Sequence, residues 1–406
     1  MKYFFFLTFL CSLLISCAEE KNTPKSEHLQ GLWLGRLLVD EQNSVNFNFS
    51  VDSLAENVVF LTVINAEEKI SCRGKKLNDS LWFDVPVFDA SFYCKLYNDS
   101  ITGKFVVKAK ERTMDFVAIK SNSVSTRGYG THNYSEKLNG RWRAKFTDGG
   151  DFSDAVGIFS INDSLAAGTF LTETGDYRFL QGTSRNDSLW LSCFDGSHAF
   201  LFSSFLDGDT LRGMFYSGAH YKDTFWAVKD DAFELRNPDS LTQFIGDSLK
   251  LAFSFSDLEG GVFNYPNEQT KNKIVLVQIL GSWCPNCKDE SEYFVSLKNK
   301  YKNLEIIGLC FETQKTQEGK VAQVKKMKDY LGINYPLLIA GNASKKESVK
   351  KFPFLNHVVS YPTTIVVDKT GKVRKVHTGF YGPGTGKYYE DFKKEFEEFL
   401  DNLLIE

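Results

Sequence analysis

The N-terminal half of the chain repeats three short sequence landmarks at a nearly constant distance, which limits this half to two copies of one fold. The offsets between the copies are 109, 108 and 109 positions. In both copies, turn-forming clusters separate short apolar and aromatic runs without a helical period, a pattern typical of antiparallel hairpins. The landmarks are Gly-x-Trp at 31–33 and 140–142, Asn-Asp-Ser-Leu-Trp at 78–82 and 186–190, and Phe-x-Ala-x-Lys at 116–120 and 225–229.

The repeat predicts two tandem antiparallel β-meander domains, at 28–121 and 136–230, each a barrel or sandwich of about eight strands. Aromatic residues make up 15% of the chain, with 36 Phe and 17 Tyr, and these side chains favour half-buried pleated surfaces. Gly-x-Trp at the start of a meander resembles lipocalin-like barrels, which implies a binding role for a small apolar ligand. The alternative is that Trp33 and Trp142 plug their barrels and that side chains fill the interiors.

The first residues of the chain have the pattern of an export signal. A basic residue precedes an apolar run that is too short to span a membrane as a helix. The run ends in Leu-Ile-Ser-Cys at 14–17, which resembles the lipobox of bacterial lipoproteins. This resemblance implies a signal peptide at 1–16, a lipid anchor on Cys17 and a tether at 17–27. Ala18 favours the outer membrane, facing the periplasm, with surface exposure left open; the alternative is a plain secretory signal.

The charge balance argues against nucleic acid as a partner. The chain has 48 Lys and Arg against 51 Asp and Glu, a formal net charge of −3 and a pI near 6.1. Proteins that neutralise phosphates need a concentrated basic surface, and no basic block dominates this sequence.

A second kind of fold begins beyond a connector at 231–254, where Asn-Pro-Asp-Ser at 237–240 disfavours regular structure. The apolar run at 274–280 predicts a strand buried on both faces of an α/β sheet. Trp-Cys-Pro-Asn-Cys at 283–287 follows at once, and the apolar spacing after it predicts a helix that begins at or just after Cys284. The two cysteines therefore lie at a strand-to-helix junction.

That position favours redox chemistry at the two cysteines. Unpaired N–H groups and the helix dipole stabilise an anion at a helix N-terminus, so we expect Cys284 to be a partly exposed thiolate. Pro285 suits the first helical turn because it has no N–H to leave unpaired. Cys284 would attack a disulfide and Cys287 would resolve the mixed disulfide, which leaves the pair oxidised.

A Cys-x-x-Cys pair could instead be half of a zinc site, completed by Cys310, His357 or His377. No second close-spaced pair of ligands exists in the sequence, so we expect neither a metal nor a cofactor. Cys310 lies in an apolar run and is expected to pack as a small hydrophobic residue. The joint presence of Cys72 and Cys94 in the first copy favours a structural disulfide. The predicted hairpins place a third strand between them, which favours two free thiols, and both possibilities stay open.

The motif at 283–287, with the strands and the tail that follow it, resembles the thioredoxin superfamily and most closely the TlpA-like, membrane-anchored thiol-disulfide oxidoreductases. The resemblance covers about 250–406, and we place the α/β thioredoxin-like domain at 255–406. Further elements fit this fold: strands at 304–311 and 335–340, a helix at about 319–331, and a final helix after Gly386, capped by the turn at 382–384.

The resemblance also implies roles for residues around the cysteines. Tyr361 and Pro362 would form the superfamily's cis-proline loop, which packs beside the cysteines and offers backbone groups to a bound peptide. Trp283 and Pro285 of the motif would contact the substrate together with this loop.

Resolution requires a group that accepts the proton of Cys287. Where many thioredoxins carry a buried acid, this chain has Gln278. Glu290 is the replacement candidate, because it lies one helical turn after Cys287 and TlpA-like proteins commonly keep a glutamate there. The alternative is a solvated carboxylate, since Asp289 and Glu292 show that acids are common on this helix. The family's proline is Glu292 here, which leaves the helix geometry open.

These expectations combine into a lipid-anchored enzyme of the cell envelope that exchanges electrons with protein disulfides or dithiols and with an upstream redox partner. Reduction is the favoured direction, because TlpA-like relatives with a glutamate at this position often reduce; oxidation and isomerisation stay open. A peroxidase matches the paired cysteines less well. The alternative from another class is an envelope-anchored binding protein that uses its β domains.

Overall fold

The computed structural model describes residues 29–123, 127, 135–147, 152–162, 165–246 and 250–406. The predicted signal peptide at 1–16, the predicted lipid-anchor residue Cys17 and the predicted tether at 17–27 lie outside these residues. Across the described ranges, no helix is both long enough and apolar enough to cross a membrane.

The first barrel consists of eight antiparallel strands, each paired with the next in the chain. The first strand also pairs with the eighth, which closes the sheet. The strands are Gly31–Leu38 (β1), Ser44–Ala55 (β2), Val58–Asn65 (β3), Glu68–Leu77 (β4), Ser80–Asp84 (β5), Ala90–Tyr97 (β6), Ser100–Val107 (β7) and Arg112–Lys120 (β8).

The second barrel follows the same plan, with one short additional strand. Its sheet closes because β10 pairs with both β9 and β11, whereas β12 pairs only at the end of β11. The strands are Gly140–Phe146 (β9), Ser153–Asn162 (β10), Leu165–Thr172 (β11), Gly175–Asp176 (β12), Leu180–Arg185 (β13), Ser188–Phe194 (β14), Ala199–Asp207 (β15), Thr210–Ser217 (β16) and Tyr221–Lys229 (β17).

Tryptophan and phenylalanine side chains fill both barrel interiors. The indole N–H of Trp33 donates to Leu29 O at 2.8 Å, and that of Trp142 donates to Leu138 O at 3.1 Å. Both tryptophans are buried, and stacked or edge-on Phe pairs occupy the space beyond them. The alternative in which Trp33 and Trp142 plug filled barrels is therefore the one that the packing supports.

Part of the second barrel packs into the core of the first. Phe194, at the end of β14, lies in the core of the first barrel, with ring centroids 4.6 Å from Phe47 and 5.1 Å from Phe105. Arg127, from the connection between the barrels, is buried and donates to the carbonyls of Asn46 and Ser192, each at 2.9 Å. The β half is therefore one packed unit rather than two separate domains on a string.

The C-terminal part is a seven-stranded mixed sheet with helices on its faces. The strand order is β19-β18-β22-β21-β20-β23-β24, in which β20, β21 and β22 run parallel and the remaining pairs are antiparallel. The strands are Phe253–Asp257 (β18), Val262–Tyr265 (β19), Ile274–Leu280 (β20), Leu304–Glu312 (β21), Leu337–Asn342 (β22), Thr363–Val367 (β23) and Val373–Thr378 (β24). The helices are Pro285–Lys300 (α1), Gln317–Leu331 (α2), Lys345–Lys351 (α3) and Lys387–Ile405 (α4).

This arrangement confirms the predicted fold class, two antiparallel barrels followed by an α/β thioredoxin-like domain. Helix α2 begins at Gln317 rather than near Gly319, because the Thr316 side chain accepts from Gly319 N and caps the helix earlier. The predicted cap of the final helix is displaced, because Pro383–Thr385 forms its own 3₁₀ turn and Gly386 is the N-cap of α4. The short helix α3 was not predicted.

Candidate active site

Both cysteines of the motif lie at the N-terminus of α1, as predicted. Strand β20 is buried along its whole length, and α1 begins at Pro285 with Cys284 as its N-cap in extended backbone conformation. The sulfur of Cys284 accepts the backbone N–H of Cys287 at 3.3 Å. A negative charge on Cys284 would therefore be stabilised by a helix N–H group that has no other partner within the helix.

Both cysteines are buried free thiols, and the expectation of a partly exposed Cys284 is wrong. Cys284 is 6% exposed and Cys287 is 0% exposed. The reason is a cover from the β half: Ser197 Oγ, between β14 and β15, donates to Trp283 O at 3.0 Å. Lys110 of the first barrel lies 5.4 Å from the centre of the Trp283 ring. Burial, with a contribution from Cys284, raises the pKa of the Cys287 thiol well above its ordinary value.

The loop before β23 forms the opposite wall of the site. The Tyr361–Pro362 peptide bond is cis, and the Cys284 thiol donates to Tyr361 O at 3.5 Å. The ring of Trp283 lies edge-on to that of Tyr361, with centroids 5.7 Å apart, and its indole N–H donates to Phe311 O. The structure thus brings Trp283, Tyr361 and Pro362 to Cys284, and Pro285 is the first residue of the helix.

Glu290 is buried behind the cysteines rather than solvated. It is 1% exposed, and its two oxygens accept from Gln278 Nε2 at 2.7 Å and from Thr364 Oγ1 at 2.9 Å. Burial raises the pKa of Glu290 to about 8 against the opposing effect of these two hydrogen bonds. Ser291 Oγ donates to Gln278 Oε1 at 3.1 Å and so fixes the amide that faces Glu290.

A second buried acid supports the loop that carries Cys284, and the sequence reasoning missed it. Glu312, at the end of β21, accepts from Ser282 N at 2.9 Å and from Ser282 Oγ at 2.5 Å. Burial raises the pKa of Glu312 to about 7. The available signal was an acidic residue at the end of an apolar strand, where a solvated carboxylate is not expected.

Helix α1 also makes a buried ion pair with the β half, which corrects the view of Asp289 as a solvated acid. Asp289 is 3% exposed in its side chain and pairs with Arg178, which follows β12 in the second barrel. Arg178 also pairs with Glu68 of the first barrel at 2.8 Å and lies 3.6 Å from Asp195. We call these four residues the Arg178 cluster. It joins all three folded parts of the chain beside the redox motif.

Asn286, in the two-residue spacer between the cysteines, also contacts the second barrel. The Asn286 amide donates to Asp176 Oδ2 of β12 at 3.2 Å and to Phe380 O at 3.0 Å. Glu292, by contrast, is exposed and pairs with Lys288 at 3.0 Å. Helix α1 continues through Glu292 to Lys300, so the absence of the family's proline does not interrupt it.

The other four cysteines that the structure describes are buried and are not paired with one another. Cys72 in β4 and Cys94 in β6 are free, with β5 between their strands, and burial raises the pKa of each to about 12. Cys310 and Cys193 are buried in strands. His377, a ligand in the zinc alternative, is hydrogen-bonded to Asp239 at 2.7 Å. Within the ranges that the structure describes, no group of three or more His, Cys, Asp or Glu side chains could hold a metal ion.

Comparisons with known proteins find similarity to thiol-disulfide oxidoreductases. The model of the AhpC/TSA family matches residues 245–376. Thiol-disulfide oxidoreductase ResA of Bacillus thuringiensis (strain Al Hakam) is 31% identical over 151 residues, which cover 37% of this chain and 74% of that protein. ResA of Bacillus subtilis (strain 168) is 31% identical over 109 residues, or 27% of this chain and 55% of its own length.

Among solved structures, a thioredoxin-family thiol:disulfide interchange protein from Chlorobium tepidum TLS is 22% identical, with a TM-score of 0.27, and covers 35% of this chain and 92% of its own. The match to the family model falls on the C-terminal part. Through that part, the chain belongs to the TlpA-like family of thiol-disulfide oxidoreductases with a thioredoxin fold.

Proposed function

We propose that the protein transfers electrons between the Cys284–Cys287 pair and disulfides of other proteins in the cell envelope, in the reducing direction. The observation that carries this proposal is the position of the Cys284 sulfur. It accepts a helix N-terminal N–H and lies against the carbonyl of Tyr361 in the cis-proline loop. The helix N–H is a donor to negative charge that forms on the sulfur during exchange, and the Tyr361 carbonyl lies beside it as a backbone group that can align a peptide.

The reaction proceeds in two exchanges that balance. The Cys284 thiolate attacks one sulfur of the substrate disulfide, a mixed disulfide forms, and the other substrate sulfur leaves as a thiolate that takes up a proton. Cys287 then loses its proton and attacks the Cys284 sulfur, which releases the second substrate thiol. Two electrons and two protons pass from the cysteine pair to the substrate, and the pair ends as a disulfide.

Glu290 is the proton acceptor for Cys287 in this proposal. Its carboxyl group is buried one turn after Cys287, and its charge contributes to the raised pKa of that thiol. With a pKa of about 8, a fraction of Glu290 is ionised near neutral pH and can accept the proton of Cys287, and the neutral form can return it. Tyr361, Pro362, Trp283 and Pro285 form the surface on which the substrate disulfide is aligned.

The first prediction concerns the two steps of exchange. Replacing Cys287 by Ser should leave a stable mixed disulfide between Cys284 and a protein substrate, because the resolving thiol is gone. Replacing Cys284 by Ser should abolish both turnover and trapping. Non-reducing electrophoresis and an insulin reduction assay measure these outcomes. Cys94→Ala, which removes a buried thiol of the first barrel, is the control that should retain activity; turnover by the Cys284→Ser variant would contradict the proposal.

The reduction potential of the pair tests the direction of transfer. A value near that of thioredoxin, about −270 mV, supports a reductase, whereas a value near about −120 mV supports an oxidase. Attachment to the membrane through lipid on Cys17 is part of the same proposal. Metabolic labelling with a fatty acid should mark the full-length chain but not its Cys17→Ala variant, and labelling of both would contradict the anchor.

A further inference from the structure

A cavity of about 200 Å³ opens where the two barrels meet, next to the redox site. It is distinct from the filled barrel interiors. The loop at 196–198, which covers Cys284, forms part of its wall through Ser197 and His198. The other lining side chains that matter here are Phe105, Lys110, Arg112, Met114 and His220.

The polar part of this wall carries an excess of positive charge. Among the described residues, Lys110 has no hydrogen-bond or ion-pair partner. Burial, followed by the charge of Arg112, lowers the pKa of Lys110. Burial, followed by the neighbouring Arg112, Lys110 and His198, lowers the pKa of His220 to about 4. Asp195, whose charge opposes the lowering of the Lys110 pKa, is paired with His198 at 3.1 Å and lies 3.6 Å from Arg178.

Two residues of the same wall contact Trp283, the residue that precedes the reactive cysteine. The Lys110 ammonium lies 5.4 Å from the centre of the Trp283 ring, and the Ser197 hydroxyl donates to Trp283 O. Trp283 immediately precedes Cys284, and a charge on Cys284 opposes the lowering of the Lys110 pKa. A ligand held by Lys110 is therefore within electrostatic reach of the reacting sulfur.

Other approaches to the cysteines are occupied by the second barrel. At the cis-proline loop, Ser360 Oγ donates to Thr174 O at 3.0 Å. At the motif, Asn286 is hydrogen-bonded to Asp176. These contacts hold the cis-proline loop and the motif against the second barrel, whereas Lys110 and Ser197 line the cavity and also contact Trp283.

We propose that substrate disulfides reach Cys284 through this cavity and carry a carboxylate close to the reacting sulfur. The substrate class is an acidic cysteine-containing disulfide, either a small molecule or a segment of a protein. Its carboxylate pairs with Lys110 and Arg112, and its apolar part packs on Phe105 and Met114. This inference rests on the proposed function and narrows its substrate.

The experiment compares three small disulfides of similar size and different charge. The reduced full chain is mixed with dithiodipropionate, hydroxyethyl disulfide or cystamine, and the reaction is followed by tryptophan fluorescence. The anionic disulfide should react roughly tenfold faster than the cationic one at low salt, and salt should reduce the difference. The double variant Lys110→Ala, Arg112→Ala should bring the ratio of the two rates close to one.

The ratio of the rates with the anionic and the cationic disulfide reports substrate recognition. A change in the reactivity of Cys284 would alter all three rates together and leave this ratio unchanged. Lys108→Ala, which removes an exposed charge two positions from Lys110, is the matched control and should keep the ratio. A wild-type ratio near one, or a ratio unchanged in the double variant, would overturn the inference. If no disulfide reacts in a Cys284-dependent manner, the proposed function fails instead.

Two further substrates identify the source of the carboxylate. One is a short acidic peptide that carries a mixed disulfide, and the other is the same peptide fused to a folded protein. Each is compared with a basic peptide of the same design. A charge preference that persists with the fused peptide indicates protein segments, and one confined to free molecules indicates small acidic disulfides. Both results support the cavity as the route, whereas equal rates for acidic and basic peptides would contradict it.

Discussion

The carboxyl group of Glu290 illustrates how a single buried residue can set the pH response of this protein. Its two oxygens are satisfied by Gln278 and Thr364, and both donors belong to strands of the central sheet. These hydrogen bonds do not compensate for the loss of water around the charge, so the pKa of Glu290 stays raised at about 8. The neutral acid is consequently the stable form in the folded state over much of the physiological range.

Stability should therefore fall as the pH rises toward 8. Between the ordinary pKa of 4.5 and the folded value of about 8, folded Glu290 keeps a proton that the unfolded chain releases. The free energy of unfolding should therefore fall by at most about 1.4 kcal/mol for each pH unit in this range. Replacing Glu290 by Gln should remove that slope, so the variant gains stability relative to the wild type between pH 5 and pH 8.

Urea unfolding at several pH values measures this difference. Glu292→Gln, which alters an exposed acid on the same helix, is the control and should leave the slope of the wild type unchanged. Parallel plots of unfolding free energy against pH for the wild type and Glu290→Gln would contradict the raised pKa of the Glu290 carboxyl group.

The residues predicted at this scale share one property, a local sequence signal. Cys284 and Cys287 stand next to each other at a recognisable junction, and Glu290 follows at a helical spacing. Asp289 carries no such signal, because its partner Arg178 is 111 positions earlier in the chain. Exposed and buried acids have the same appearance in a sequence when the counter-charge is distant.

At the scale of elements, the segment between β20 and α1 is fixed by hydrogen bonds to a side chain of the neighbouring strand β21. Ser282 presents both its N–H and its hydroxyl to Glu312 at the end of β21. Strand β21 pairs in parallel with β20, so the sheet itself brings the acid under the segment. The position of Cys284 therefore depends on a side chain from another strand as well as on its own helix.

Replacing Glu312 by Ala should cost about 2–3 kcal/mol of unfolding free energy, because two buried donors of Ser282 lose their acceptor. It should also slow the reaction of Cys284 with a small disulfide under conditions in which the variant is fully folded. Glu312→Gln retains an acceptor and should recover part of both effects. A double-mutant cycle with Ser282→Ala should show a coupling of roughly 1 kcal/mol, and additive effects would contradict the link.

The order of elements in the C-terminal domain was predictable because each element has a periodicity that does not depend on its neighbours. Strand β20 is a continuous apolar run, and α1 follows with apolar residues three and four apart. Helix α3 was missed because it has only seven residues, five of them charged, and lacks an apolar stripe. Its end is stabilised by packing of Phe352, which is fully buried.

At the scale of the whole molecule, the β half and the thioredoxin-like domain are joined at buried ion pairs. In the Arg178 cluster, one guanidinium is shared by carboxylates from both barrels and from α1. Such pairs add little net stability, but the removal of the shared cation leaves buried charges without compensation. The contact between the domains is thus sensitive to a single side chain.

Replacing Arg178 by Met should cost about 3–5 kcal/mol, because Asp289, Asp195 and Glu68 would lose their counter-charge. We also expect the barrels to loosen from α1, so that a bulky maleimide reacts faster with Cys284 in the variant. Arg212→Met removes an exposed pair with Asp207 and should change stability by about 0–1 kcal/mol. Unchanged thiol reactivity in Arg178→Met would show that the cluster does not hold the cover in place.

The relative placement of the three folded parts was beyond the reach of sequence reasoning. The repeat predicted two barrels, and the motif predicted the redox domain, but neither specifies how their surfaces meet. Phe194 has the appearance of an ordinary core residue of the second barrel, yet its ring packs on Phe47 of the first. The burial of Cys284 was mispredicted for the same reason, since its cover comes from residues in the other half of the chain.

The hydrogen bond between Asn286 and Asp176 has a practical consequence for electrochemistry. An excised C-terminal fragment would leave the spacer amide and Asp289 facing bulk water instead of protein charges. A midpoint potential measured on such a fragment would then describe a different electrostatic environment from that of the intact molecule. The first half of this chain therefore belongs to the electrostatic environment in which the midpoint potential of the cysteine pair has to be measured.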